Sequence, residues 1–462
     1  MSSPMVITLR KLAMSLVVLL LPLLTAACST ANNEPTIPAG DTTGPVSADP
    51  IVLTIAVQSN EPFFDSLKAA FEASHPGIEV NFKEYVAMPG DKTAAGASAQ
   101  IQRDMDKFVS TVTTELASGK GPDMLVTNYL PYKKYADKNM LADIGVMMNS
   151  DPDFKLDDYY ANVFDTLKYN GKYVTIPTSV QFTNLWIGDS SAIGQSDVGD
   201  KDWSWQQFID RVKPLVPSGG SAISQMPADT LLQTMLNPGI GQFVDQEARK
   251  ASFDGEAFIH LLKQAKQMVD DGMVAPDAGT NLNLFLPYPF RYLSDLITIP
   301  QVMLGAEGAV YRAPGAAPGY AFRSNLTLSI NDKSPNKEAA WEFLKFILSD
   351  EIQSNSSRSG MRGMPVSKKA FHGLQEALKQ QENTGATSKK TLDGQSIVIE
   401  PPTDEEIDKL ESYMTGINAV QETDSKIAEL IAGETGPFFK GQKSAEETAG
   451  AIQGKVTTYL NE

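Results

Sequence analysis

From Ile51 to Leu460 the chain repeatedly sets a short apolar run against a longer amphipathic one, and that rhythm confines it to an α/β architecture. Ile51–Val57 is almost continuously apolar and reads as a strand. Phe63, Phe64, Leu67, Ala70 and Phe71 share one face of a helix running to Ser74, which His75-Pro76-Gly77 stops. Ile78–Phe82 alternates as a second strand, and Phe108–Leu116 reads as a helix. The turn Ser118–Pro122 leads into a third strand, Asp123–Val126. Residues 88–100, rich in Gly, Ala and Ser, read as a loop, and no repeat of fixed period interrupts the alternation.

Ahead of this body lies a leader. Arg10 and Lys11 precede an uncharged run from Leu12 to Leu24, followed by Thr25-Ala26-Ala27-Cys28. A basic start, a short apolar stretch and small residues before a cysteine are the marks of a secretory signal ending at a processing site. The run is shorter than the roughly 20 residues a membrane-spanning helix needs. Cys28 is the one cysteine of the chain, so no internal disulfide forms, and a thiol used once at this place reads as a lipid attachment point. Ser29–Asp49 is Ser, Thr, Pro, Gly, Asn and Ala with little to bury, which makes it a tether.

The body beyond the tether, about 410 residues, exceeds the size at which a single core usually divides, so two domains are expected. The formal net charge is −17, and loss of Arg10 and Lys11 with the leader makes it two units more negative. Such a surface disfavours nucleic acid and anionic lipid as partners.

The phrases "FEASHPGIEVNF", "TELASGKGPDMLV", "YADKNMLADI", "YNGKYVTIP", "WSWQQFI", "SPNKEAAWEFLKFILSDEIQ" and "GMRGMPVSKKAF" follow one another along the chain. In that order, and behind a sequence that resembles the bacterial lipobox, they resemble the extracellular solute-binding proteins of bacterial ABC importers, the maltose-binding-like group. The closing "SAEETAGAIQGKVTTYL" is similar to that family's last helix. Thr25 stands where the lipobox usually has leucine. The resemblance implies a two-lobed α/β fold of the periplasmic-binding-protein type II, with a hinge and a ligand cleft between the lobes. It places signal peptide at 1–27, lipidated cysteine and tether at 28–49, the N-lobe at 50–178 plus 297–335, and the C-lobe at 179–296 plus 336–462. Hinge passages are expected near Pro177–Phe182, near Ile297–Pro300 and near Pro335–Lys337, with helices Lys337–Leu348 and Asp404–Ile431 mainly in the second lobe. A diacylglyceride on Cys28 would anchor the protein at the outer face of the cell membrane, since two acyl chains hold stably where one binds marginally.

The site residues follow from the same resemblance. After the first strand come Ser59, Asn60 and Glu61, in a loop where carbohydrate-binding relatives present polar side chains to hydroxyls; a helix cap at Ser59 or Asn60 is the structural alternative. After the third strand, Asn128 and Tyr129 stand where relatives place a polar group and a ring. Gln181 occupies the position of a ligand-contacting polar side chain, with Phe182 beside it and Trp186 open to either core or cleft. Tyr288-Pro289-Phe290 matches a Gly-Pro-Trp-like segment, which makes Phe290 the candidate stacking platform and Tyr288 its neighbour. The implied function is capture of a small solute, foremost an oligosaccharide or other carbohydrate, by cleft closure and its delivery to a membrane permease. A sensor or adhesion module on the same fold, or a binder of peptide, polyol or organic anion, stays open.

No catalytic motif supports an enzyme. His75, His260 and His372 are scattered, and none has a ligand or nucleophile partner at a motif spacing. Two acidic groups, Asp151, Asp153, Asp157 and Asp158, and Asp197, Asp200 and Asp202, do not fit the EF-hand loop. No metal and no cofactor is expected, and the protein is expected to act as a monomer.

Overall fold

The computed structural model describes residues 50–59, 61–86, 97–193, 203–216, 220–223, 226–276, 284–315, 318–355, 362–382, 387–390, 396–421 and 424–461. The leader, Cys28 and the tether lie outside the described residues, as do Asn60 and the acidic group at 197–202. Residues 97–100, expected in a loop, open the helix Ala97–Ala117.

The apolar run Ile51–Val57 forms β1, with Leu53, Ile55 and Val57 fully buried. Parallel neighbours flank it on both sides, β2 (Ile78–Glu84) and β3 (Met124–Val126). β12 (Thr327–Ile330) and β4 (Ile176–Pro177) then add by antiparallel pairing, giving the order β2-β1-β3-β12-β4. The carboxylate of Asp123 ties the layers together by accepting from the Thr54 N–H at 2.8 Å and the Ser334 hydroxyl at 2.6 Å.

A second sheet has the order β13 (Met364–Pro365), β5 (Ser179–Phe182), β11 (Tyr320–Arg323) and β16 (Ile417–Val420). A third joins β10 (Gly308–Arg312), β6 (Leu185–Asp189) and β9 (Phe285–Pro287), and two hairpins, β7 (Val244–Asp245) with β8 (Lys250–Ala251) and β14 (Thr387–Lys390) with β15 (Ser396–Ile399), complete the strands. The apolar residues sort into two clusters. One packs Phe71, Phe108 and Phe343 around the five-stranded sheet, and the other packs Trp186, Phe208, Phe258 and Phe285. Each of these rings, withdrawn from water, contributes roughly 1.5–3 kcal/mol. Among the described residues no helix is long and apolar enough to cross a membrane.

The chain passes between the first two sheets at two adjacent places. β4 ends at Pro177 and β5 begins at Ser179, while β11 ends at Arg323 and β12 begins at Thr327. The passages are bonded to each other, the Thr178 N–H and hydroxyl both donating to the Leu326 carbonyl. Gln353 braces the first of them against the end of β13: its amide donates to the Thr178 carbonyl at 3.0 Å and accepts from the Val366 N–H at 2.8 Å.

Three expectations need correction. Residues 297–300 are not a passage between sheets but lie inside the helix Asp295–Leu304, which packs on β10. The helix Lys337–Leu348 packs against β1 and β12 and buries its apolar face in the first cluster, so the third passage follows the helix instead of preceding it. The expected helix Asp404–Ile431 is two helices, Asp404–Thr415 and Ser425–Phe439, separated by β16. Gly416 makes the break: a Cβ there would come within 2.9 Å of the Tyr320 ring and of the Ser412 carbonyl, and Ile417 is then free to pair with β11.

Candidate functional site

The carboxyl ends of β1 and β3 open onto a cavity of about 240 Å³ beside the strand passages. In open α/β sheets this is where ligands bind, because loops leaving neighbouring strands diverge there. Ser59, Glu61, Asn128 and Tyr129 all line it, so two loops some seventy residues apart in the chain meet there. Phe63, Asn325, Leu326 and Arg362 also line it, as do Val57, Gln58, Phe64 and Val126.

Local chemistry explains what each side chain has to offer. Glu61, not Ser59, is the N-cap of the helix Pro62–Ser74, yet its carboxylate makes no capping bond. Pro62 at the first helical position has no N–H to satisfy, which lightens the need for a cap and leaves the carboxylate uncommitted. Asn128 is committed at both ends: its NH₂ donates to the Ser324 carbonyl at 2.7 Å, and its Oδ1 accepts from the Thr327 N–H at 2.9 Å and the Thr327 hydroxyl at 3.1 Å. It clamps the β3 loop to the passage between β11 and β12. Tyr129, the next residue, is 57 % exposed.

The remaining sequence-derived candidates do not reach the cavity. Gln181 is 1 % exposed; its Nε2 donates to the Arg362 carbonyl at 2.9 Å and its Oε1 accepts from Arg323 Nε at 3.1 Å. It sets the backbone of Arg362 and has no surface left for a solute. Phe182 and Phe290 are both fully buried, and the Phe182 N–H donates to the Phe290 carbonyl at 3.2 Å across an isolated bridge. The expected stacking platform is therefore a core ring, packed edge-on to Tyr288 at 5.2 Å. Tyr288 is half-buried, and burial, followed by the charge of Asp295, raises its hydroxyl pKa. Trp186 sits in the second cluster among Trp205, Phe208 and Phe285.

Sequence reasoning missed Phe63, Asn325, Leu326 and Arg362. Arg362 lies in the phrase "GMRGMPVSKKAF" immediately ahead of β13, so its nearness to a hinge strand was the available signal. Asn325 and Leu326 carried none, because the passage they form was sought at another place. The histidines stay apart: His75 stacks on Phe71 at 4.1 Å and His372 lies 3.1 Å from Glu411. Asp151 is held by Lys345 and by the Trp341 indole N–H, each at 2.7 Å, and no cluster of three potential metal ligands occurs among the described residues.

Two sheets joined by bonded passages, with a polar cavity at the carboxyl ends of the strands, define a two-lobed α/β binding fold. Solved structures agree with this architecture. The cyclic α-maltosyl-1,6-maltose binding protein of Arthrobacter globiformis is similar at 16 % identity and a TM-score of 0.57, over 89 % of this chain and 99 % of its own. An ABC substrate-binding protein of Listeria monocytogenes in complex with cycloalternan is similar at 15 % identity and a TM-score of 0.55, over 89 % and 100 %. The GacH receptor of Streptomyces glaucescens, solved unliganded and with acarbose, gives 14 % and 0.53 over 89 % and 99 %. Residues 57–354 match the model of the bacterial extracellular solute-binding proteins, and the chain belongs to that family. Its function is to bind a solute outside the cytoplasm.

Proposed function

We propose that the protein captures a neutral carbohydrate, foremost an oligosaccharide, in the cavity between the β1 and β3 loops and the strand passages, and hands it to an ABC permease. The observation that carries this reading is the cavity wall itself: Ser59, Glu61, Asn128 and Tyr129 come from the first sheet, and Asn325, Leu326 and Arg362 from the passages between sheets and the segment entering β13. A solute touching both favours the arrangement that brings them together, and only such a difference in affinity drives closure. Glu61 accepts hydroxyl protons, Arg362 and Ser59 donate, and the exposed Tyr129 ring covers the C–H face of a sugar. The sugar-bound relatives in Listeria and Streptomyces support the ligand class. At about 240 Å³ the cavity is smaller than the ~300–1,000 Å³ usual for small-molecule sites, so a sugar chain enters with the loops further apart than here. Hinging at Thr178, at residues 324–326 and after Leu348 supplies that motion, with the two lobes meeting along these passages.

Thermal unfolding of the protein with neutral oligosaccharide, polyol and peptide collections tests the proposal. A bound sugar at 100 times its dissociation constant adds about 2.7 kcal/mol of stability, and Tyr129→Ala cuts the gain at the same sugar concentration to about 1 kcal/mol. Stabilisation by peptides alone, or a sugar effect indifferent to Tyr129, overturns it. Anchoring belongs to the same reading: Cys28 carries the lipid that keeps the protein at the outer membrane face, and Cys28→Ala releases it into the medium or leaves it unprocessed. A mutant that remains membrane-bound and processed refutes the anchor.

A further inference from the structure

A second and larger cavity, of about 510 Å³, lies away from the first and shares no lining residue with it. The first touches Arg362, at the β13 edge of the four-stranded sheet; the second touches Ala419 and Val420 of β16, at the opposite edge. Its walls come from distant parts of the chain. Lys133, in the helix Tyr132–Asp137, and Thr166, which follows the helix Ala161–Asp165, stand beside the first core, whereas Gln233, Asn237 and the helix beginning at Ser425 belong with the second. Lys134 lies over the Tyr459 ring at 4.4 Å and Arg249 pairs with Asp137 at 3.9 Å, holding the helix Tyr132–Asp137 against that side.

The polar groups of the wall divide into those used by the fold and those left over. Asp424 caps the helix Ser425–Phe439, accepting from the Lys426 and Ile427 N–H groups, and takes the Tyr459 hydroxyl at 3.0 Å; Asp245 holds the Ala248 N–H at 2.8 Å. Among the described residues no hydrogen bond engages the side-chain amides of Gln233, Asn237 or Gln242, although Gln233 and Asn237 are half-buried. A planar amide offers two donors and two acceptor sites, a set that matches neighbouring hydroxyls on one molecule. Leu236, Ile240, Val244 and Ile431 add an apolar strip against which C–H groups can lie. Among the described lining residues three carboxylates, Asp245, Glu247 and Asp424, stand against one cation, Lys133, so the local field opposes an anion. The volume lies within the usual range for a small-molecule site.

We propose that this cavity is a second binding compartment, for a neutral polyhydroxylated ligand, read by Gln233 and Asn237 and independent of the Tyr129 cavity. Calorimetric titration of the full-length protein in detergent with glucose, maltotriose and sorbitol, and with glucose 6-phosphate as the anionic counterpart, tests it. At least one neutral compound should bind in a component that Asn237→Ala weakens about tenfold, as expected for loss of one neutral hydrogen bond without a charged partner. Glucose 6-phosphate should bind there more weakly than glucose. Gln233→Glu, on a half-exposed helical position, provides a variant that removes the amide donor while keeping the side-chain shape, should Asn237→Ala misfold. Tyr129→Ala should leave this component in place. Binding that depends on Tyr129 and ignores both amides overturns the second compartment and leaves the first site standing. An amide-dependent component with no separate Tyr129-dependent component beside it supports the compartment and removes the first site. Preference for the phosphate, or no binding by any of the three neutral compounds, overturns the proposal.

Discussion

The loop after β3 and the turn after β9 carry the same ingredients, an aromatic residue set among polar or proline neighbours, and the fold uses them in opposite ways. Tyr129 is 57 % exposed at the edge of the cavity, while Phe290 is fully buried. The difference comes from what lies across from each. Phe290 faces Phe182, whose N–H it pairs with, and is closed over by Tyr288. Asn128, by contrast, spends its own amide on Ser324 and Thr327 and so pins the β3 loop where the next side chain has no neighbour to bury it. A side chain committed to the fold thus presents an uncommitted one beside it. The same pairing recurs at Gln181, whose amide donates to the Arg362 carbonyl and accepts from Arg323.

Four substitutions sharpen or break this contrast. Phe290→Ala should cost about 3–5 kcal/mol in denaturant unfolding, as for other fully buried phenylalanines, with solute affinity unchanged in the folded fraction. A small stability loss coupled to lost binding would return Phe290 to the site. Asn128→Ala leaves the Thr327 N–H and the Ser324 carbonyl without their partner and should cost about 2–3 kcal/mol, with weaker solute binding because the Tyr129 loop is no longer pinned. Tyr129→Ala should leave stability within about 0.5 kcal/mol and reduce solute affinity by roughly 2 kcal/mol, the value of a ring face removed from water. Substantial unfolding in that variant would show the ring to be structural.

The smallest effect is a pH-dependent one at another committed group. Hydrogen bonds from Lys345 and the Trp341 indole lower the Asp151 pKa to about 2. Because the folded pKa lies below the ordinary value of 3.8, the stabilisation is complete above about pH 4 and is lost as pH falls through about 2. Asp151→Asn should therefore lower the unfolding temperature at pH 7 and match the parent protein near pH 2. A difference that persists unchanged at pH 2 would assign the effect to packing against Trp341 instead.

Much of the architecture was legible because local pattern and burial agree. The apolar run of β1, the spacing of Phe64, Leu67 and Phe71, and the stop at His75-Pro76-Gly77 all describe what the chain does within a few residues. The passage near Thr178 was legible for a different reason, its place after "NGKYVTIP" in the order of family phrases. The helix expected over Asp404–Ile431 failed where periodicity alone cannot see a partner: Gly416 and Ile417 leave the helix because Tyr320 and β11 occupy the space beside them.

The family resemblance marked the two loops that meet at the carboxyl ends of β1 and β3, whereas local pattern by itself determined the alternation of strands and helices and the acidic balance of the chain. Those properties depend on residues close together in the chain, where side-chain period and turn chemistry act directly. Only the tertiary structure decided which of the candidate side chains remain available to a solute. Phe182, Trp186 and Phe290 became core, Gln181 and Asn128 became clamps, and Arg362, Gln233 and Asn237 emerged beside open space. The physical reason is distance along the chain: Asn128 meets Thr327, 199 residues away, and Gln181 meets Arg362, 181 residues away. Whether an amide binds a ligand or its own backbone is settled by which remote carbonyl the fold delivers to it, and no local pattern records that delivery.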